Sequence, residues 1–197
     1  MADAGRVIAG SARGIRLKAA GSATRPLGDR VKQTLFAILE PDLPGARFLD
    51  LYAGSGAAGI EALSRGAAHA TFVDRDGMAA RTIMENVARA HLGGPEQVTV
   101  VRADVVGWLT DPARAEDPRW DLVLVDPPYA ETDELERALR SVGPVVAPGG
   151  RVVAKHSWRA VPPAGLRLLA SERERRFGET ALTFYRRAED ATSTEDG

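Results

Sequence analysis

Apolar residues along this chain fall into two periods that alternate. From Ala46 onward, short apolar runs of strand type are separated by stretches with apolar positions at helical spacing. Arg47-Phe48-Leu49-Asp50-Leu51 reads as a first strand, Ala70–Asp74 as a second, Val98–Val101 as a third that ends near Asp104, Trp120–Asp126 as a fourth and Gly150–Lys155 as a fifth. Between them, a helical pattern begins at Ile60-Glu61-Ala62-Leu63, another runs from Met78 to His91 and a third from Glu134 to Val142. Two later apolar stretches, Leu166–Ala170 and Thr180–Tyr185, read as a closing antiparallel hairpin around Phe177-Gly178. Repeated βα units require parallel strands with helices on both faces, so the expected fold class is α/β, a doubly wound, mostly parallel sheet.

Ahead of this repeat, Arg6–Gly10 and Gly14–Lys18 resemble two short strands of a hairpin. Val31, Leu35, Ile38 and Leu39 then mark a helix with Asp29 in its first turn, ending before Pro41 and Pro44. Residues 1–45 are therefore expected to form a small N-terminal hairpin-and-helix extension and residues 46–187 the main domain. Residues 188–197, with four acids and no base, are expected to be a disordered tail. A chain of 197 residues with 44% hydrophobic and 27% charged residues can bury a core without staples.

The chain lacks cysteine, which excludes disulfides and thiolate metal sites, and His69, His91 and His156 are too scattered for a metal cage. No run reaches membrane-span length and the first residues carry no apolar signal core, so a cytoplasmic protein without membrane partner is expected, and a monomer. Net charge is −1, yet Arg6 to Lys32 holds seven bases against Asp29 alone. That basic arm has the footprint of a phosphate-backbone contact, with Arg6, Arg13, Arg16, Lys18, Arg25 and Arg30 as the candidate nucleic-acid-binding residues; a merely solvated face is the other reading.

After the first strand comes Tyr52-Ala53-Gly54-Ser55-Gly56-Ala57-Ala58-Gly59, a turn of small residues opening a helix. Glycine tolerates positive φ and lets backbone lie against a ligand, while a helix start offers free N–H groups. The three glycines spell a dinucleotide fingerprint, with Asp74 where a ribose-binding carboxylate belongs, so NAD is one reading. Asp50 at the strand end, followed by Gly-x-Gly, resembles instead the S-adenosylmethionine (SAM) site of class I methyltransferases. A ligand-free turn and helix cap is the third reading. Strand-end carboxylates divide the work: Asp50 near the methionine end, Asp74 on the ribose hydroxyls, Asp104 on the adenine amino group. The candidate cofactor contacts are Asp50, Tyr52, Gly54, Ser55, Gly56, Asp74, Arg75, Asp104 and Val105.

Asp126-Pro127-Pro128-Tyr129 follows the fourth strand directly. Two prolines remove two donors and stiffen the turn, leaving its carbonyls free to accept. A ring-conjugated amine is a poor nucleophile until both N–H bonds are held by acceptors, and Asp126 Oδ with the Pro127 carbonyl could hold them. Tyr129 would stack on the base. The four residues are the candidate catalytic set, and a dehydrogenase has no comparable need of them.

Taken together, Arg6–Gly10 with Arg13-Gly14, Thr24-Arg25-Pro26, Asp29-Arg30-Val31, Leu49–Gly56, Glu61–Ala67 and Asp126–Tyr129 resemble the bacterial 16S rRNA guanine-N2 methyltransferases of the RsmD type, from Arg6 to about Arg187. The resemblance implies a Rossmann-like class I fold and SAM as methyl donor. It also implies the exocyclic amine of the guanine conventionally numbered 966 as target, and small-subunit particles rather than naked RNA as partner. Phe177-Gly178-Glu179-Thr180 stands where that family usually has Tyr-Gly-Asp-Thr, and Asp74 where Glu is commoner. The catalytic tetrapeptide also occurs in DNA amino-methyltransferases and in enzymes acting on a release-factor glutamine. These alternatives remain, as does a non-catalytic RNA-binding module on the same fold.

Overall fold

The computed structural model describes residues 3–21, 27–94, 96–116, 119–128 and 132–189. Thr24-Arg25-Pro26, Tyr129 and residues 190–197 of the expected tail lie outside the described residues. The elements are β1 (Asp3–Arg6), β2 (Arg16–Lys18), α1 (Asp29–Leu39), β3 (Arg47–Leu51), α2 (Ala57–Ser64), β4 (His69–Asp74), α3 (Gly77–Arg89), β5 (Val98–Arg102), α4 (Val105–Thr110), β6 (Trp120–Val125), α5 (Thr132–Val142), β7 (Val146–Ser157), β8 (Leu169–Phe177) and β9 (Thr180–Arg187).

One sheet of seven strands runs in the order β5-β4-β3-β6-β7-β9-β8. Its first five strands are parallel, and β7-β9 and β9-β8 are antiparallel. The order reverses between β3 and β6, which is where an open α/β sheet leaves a crevice at its carboxyl edge. The doubly wound sheet and its C-terminal antiparallel pair are as expected.

Side chains of a strand alternate between faces, so β3 builds two cores at once. Leu49 and Leu51 pack with Val123, Val125, Trp108 and Leu139 beneath α4 and α5. Phe48 joins Phe36, Leu122, Leu124, Val153 and Phe184 beneath α1. Asp50 lies on this second face, between apolar neighbours, and is 2% exposed.

The N-terminal hairpin is sewn into a third cluster, in which Ala4, Val7, Ala12 and Leu17 share contacts with Ile60, Leu63, Phe72 and Ile83. Glu61, fully buried, accepts from Ile8 N (2.7 Å), Ala9 N (3.0 Å) and Arg65 Nε (2.8 Å). Lys32, equally buried, donates to the Arg6 carbonyl at 2.5 Å and lies 4.0 Å from Glu61. Its pKa is lowered by burial, which Glu61 opposes.

Local boundaries differ in several places, β7 running from Val146 to Ser157 and β2 only from Arg16 to Lys18. The first hairpin strand is Asp3–Arg6, not Arg6–Gly10, because Val7 to Gly14 form the turn that closes on Ile15. β8 is Leu169–Phe177 rather than Leu166–Ala170: it is an edge strand whose residues 170–176 are all exposed, so it carries charge instead of an apolar signature. α4 has only six residues and presents no readable helical period.

Candidate active site

The turn after β3 is built from backbone of left-handed sign: φ is 61° at Tyr52, 53° at Gly54 and 75° at Gly56. Gly56 caps α2, and a Cβ there would sit 3.0 Å from Ile83. Gly59 is glycine for another reason, since its Cβ would lie 2.3 Å from the Phe72 ring; it lets α2 press onto β4. Asn86 of α3 ties the turn to the hairpin, donating to the Ser55 and Lys18 carbonyls and accepting from Lys18 N, all within 2.8–2.9 Å. Tyr52 donates its hydroxyl to Glu134 on α5 at 3.1 Å.

The strand-end carboxylates occupy different roles. Asp50 accepts from Gly59 N at 2.9 Å and so braces the first turn of α2 from below. Burial pushes its pKa up to about 8, with Asp126 and Asp74 adding like charge and Gly59 opposing. Asp74, half-buried, accepts from Gly54 N (2.8 Å) and Asp76 N (2.9 Å), one on each oxygen. A carboxylate oxygen has two lone pairs, so both keep capacity toward the crevice. Asp104 caps α4 by accepting from Gly107 N at 2.8 Å and stands exposed; Val105 behind it is buried. Arg75 is exposed beside Asp74, and its carbonyl accepts from Arg102.

Asp126 sits where the strand order reverses, its N–H donating to the Leu51 carbonyl at 3.4 Å. Pro127 is buried and Pro128 exposed; Tyr129 lies outside the described residues. Lys155 Nζ donates to Asp126 Oδ1 at 2.5 Å, with side-chain exposures of 9% and 19%. Burial raises the Asp126 pKa, and the Lys155 charge and hydrogen bond pull it back. The glycine turn, Asp50, Asp74 and Asp126 thus gather at the carboxyl ends of β3, β4 and β6, with Asp104 following β5.

Three of the basic candidates are engaged in ion pairs. Arg16 pairs with Asp3 (2.5 Å), Lys18 with Glu85 (2.6 Å) and Arg6 with Asp29 (3.5 Å). Arg13 and Arg30 are exposed and have no ion pair among the described residues, while Arg25 lies outside them. Sequence reasoning missed Lys155, Asn86 and Glu61 as organisers. Lys155 had a signal, being a charged residue directly after the apolar run Val152-Val153-Ala154 of β7. The other two are one polar position each in a helix, and only tertiary contact reveals their partners.

The family model described as "Conserved hypothetical protein 95" matches residues 5–186. The chain is 37% identical over 185 residues to a Bacillus subtilis protein named "Putative rRNA methyltransferase YlbH", covering 92% of this chain and 98% of that one. It is 39% identical over 125 residues to the Haemophilus influenzae "Ribosomal RNA small subunit methyltransferase D", covering 63% of each chain. Among solved structures, a hypothetical protein of Thermus thermophilus superposes with a TM-score of 0.77 at 35% identity, over 94% of this chain and 99% of that one.

Proposed function

From the conserved hypothetical protein 95 family, to which this chain belongs, and from the placement of Asp126-Pro127 beside the glycine turn, we infer a SAM-dependent methyltransferase acting on the exocyclic N2 of a guanine in 16S rRNA. The observation that carries the reading is the site at the strand-order reversal, where a stiff Asp-Pro-Pro turn faces a cofactor-type turn across the ends of β3 and β6. The names of the Bacillus and Haemophilus relatives support RNA over DNA or a protein amide as substrate.

The residues fit SAM. Asp74 retains lone pairs for ribose hydroxyls, Asp104, exposed after β5, would meet the adenine amino group with the oxygen its helix cap leaves over, and the turn of Tyr52, Gly54, Ser55 and Gly56 would bring backbone to the ligand surface. Several carboxylates also suit a cofactor with a net positive charge. When bound, SAM supplies an electrophilic sulfonium methyl. The protein's part is to present the amine: Asp126 Oδ and the Pro127 carbonyl accept its two N–H bonds, which draws the nitrogen toward tetrahedral geometry and frees its lone pair. Asp74, Asp104 and the turn from Tyr52 to Gly56 would hold SAM so that this methyl meets an amine whose lone pair Asp126 and the Pro127 carbonyl keep aimed at it, the surplus proton passing to water. Positioning in line supplies a large part of the barrier lowering.

A monomeric enzyme working on assembled small-subunit particles belongs to the same proposal. Methyl-labelled SAM is incubated with small-subunit particles, naked 16S RNA, duplex DNA or release factor, and labelled nucleosides are identified by mass spectrometry. N2-methylguanine in the ribosomal samples is the expected product; label confined to DNA or protein would refute the assignment. Asp74→Ala is expected to weaken SAM binding by about 1–3 kcal/mol in calorimetry.

A further inference from the structure

We propose that Lys155 is a positioning residue of the transfer step, clamping one oxygen of Asp126 so that the other faces the target amine. The proposal rests on the reading above, because it assumes that Asp126 receives an amino group. β6 and β7 are parallel and in register, Leu124 against Val153 and Val125 against Ala154, so Asp126 and Lys155 come next, side by side at the carboxyl edge. Both side chains are largely withdrawn from water, and the Nζ to Oδ1 distance is 2.5 Å.

The charge on this pair has a definite consequence. A carboxylate offers acceptors on both oxygens, whereas a protonated carboxyl turns one of them into a donor. A buried Asp tends toward the protonated form, which would set an O–H against an N–H. Asp50 on β3 is a buried carboxyl that burial, Asp126 and Asp74 push toward its own protonated form, and Glu134 on α5 is held by Tyr52 and Arg137. Lys155 on β7 is the cation that favours ionised Asp126. Its three donors also fix the carboxylate plane, so Oδ2 has a direction and not merely a charge. The next side chain on β7, His156, is turned to Thr183 on the opposite face and takes no part.

The test uses the whole protein with Lys155→Met and Lys155→Arg. Carbon-13 NMR follows the Asp126 carboxyl through a pH titration in the ligand-free protein. Single-turnover methyl transfer to small-subunit particles is measured from pH 5 to 9, with SAM affinity by calorimetry. In Lys155→Met the Asp126 midpoint is expected to rise by roughly one unit or more. The acid limb of the rate profile should move with it, giving about a tenfold loss at neutral pH that shrinks as pH rises. Lys155→Arg should keep both midpoints near the native ones, and SAM affinity should stay within about threefold in either variant. An unmoved Asp126 midpoint in Lys155→Met, or a loss equal at every pH, overturns the proposal. Should that variant fail to fold, Lys155→Gln carries the same expectations. If the native protein labels no RNA, the assigned substrate is wrong, while the titration still decides whether Lys155 governs Asp126.

Discussion

Glu61 beneath the hairpin and Asp126 at the carboxyl edge are both withdrawn carboxylates facing a lysine, and they are built to opposite ends. Glu61 is closed on every side: two hairpin N–H groups and Arg65 occupy its oxygens, and Lys32 is sealed within the same pocket. Asp126, at the strand-order reversal, is closed on one side only among the described residues, where Lys155 takes Oδ1. A buried charge with all its bonds made holds a fold together; one with a bond withheld is available for chemistry. The two sites can be broken separately.

The largest effect is expected at the closed site. Glu61→Ala leaves Lys32 buried without its counter-charge and orphans two hairpin N–H groups, which should cost about 3–5 kcal/mol. Urea unfolding measures it. A cost under about 1 kcal/mol would mean that water replaces the carboxylate and that the hairpin is less firmly sewn in than its bonds indicate.

Asp126→Ala should do the reverse. Methyl transfer is expected to fall at least about a hundredfold, or roughly 2.7 kcal/mol of transition-state stabilisation, with SAM affinity and unfolding free energy little changed. Lys155 is buried but stands at the carboxyl edge of the sheet, and its flexible four-carbon stem lets the ammonium swing into the crevice once Asp126 is gone. Near-native turnover would remove Asp126 from the mechanism, and a stability loss matching that of Glu61→Ala would erase the contrast between the sites.

Asp50 sharpens the comparison through pH. Its carboxyl is pushed up to about 8 in the fold against an ordinary value of 3.8, so between these values the native state holds a proton that the unfolded chain has released. Stability then falls as pH rises across that window, by up to about 1.4 kcal/mol per unit for one proton. Asp50→Asn should flatten the slope in ligand-free protein when melts are compared from pH 5 to 8. An unchanged slope would place the missing proton on another group.

Much of this was legible before any coordinates, for a definite reason. Strands β3, β4 and β6 and helix α3 carry strong periods, and the glycine turn and Asp126-Pro127-Pro128-Tyr129 are local in sequence, so the chemistry proposed for them is read from adjacent residues. What escaped was non-local or unsupported by burial. Lys155 meets Asp126 across 29 positions, Asn86 reaches Lys18 across 68, and Glu61 finds Ile8 across 53. β8 is solvated along nearly all of its length, so alternation never marked it. The sequence assigns Asp74 and Asp104 to the cofactor, and each is also engaged by backbone N–H groups, of Gly54 and Asp76 for the first and of Gly107 for the second. Sequence spacing cannot separate these uses, because a cap and a ligand contact require the same residue at the same strand end.

The smallest expected effect concerns the basic arm, where the structure changes the experiment. Deleting the first twenty residues would strip Ala4, Val7 and Leu17 from the third core cluster and orphan Glu61, so that loss of RNA binding would report unfolding as readily as lost phosphate contacts. Single side chains are the cleaner probe. Arg13 and Arg30 stand exposed without ion pairs among the described residues, whereas Arg16 and Lys18 must release Asp3 and Glu85 before reaching a phosphate. Each phosphate contact to a single-stranded loop contributes about −0.7 to the slope of log affinity against log salt. Arg13→Ala and Arg30→Ala are therefore each expected to lower the slope for small-subunit RNA by about 0.7, with SAM affinity and melting temperature unchanged. Arg16→Ala and Lys18→Ala should lower it less. If all four leave the slope intact, the phosphate track lies along the edge strand β8, around Arg173, Arg175 and Arg176. There Arg176 already lies over the Trp158 ring at 3.7 Å, beside the edge that carries Lys155.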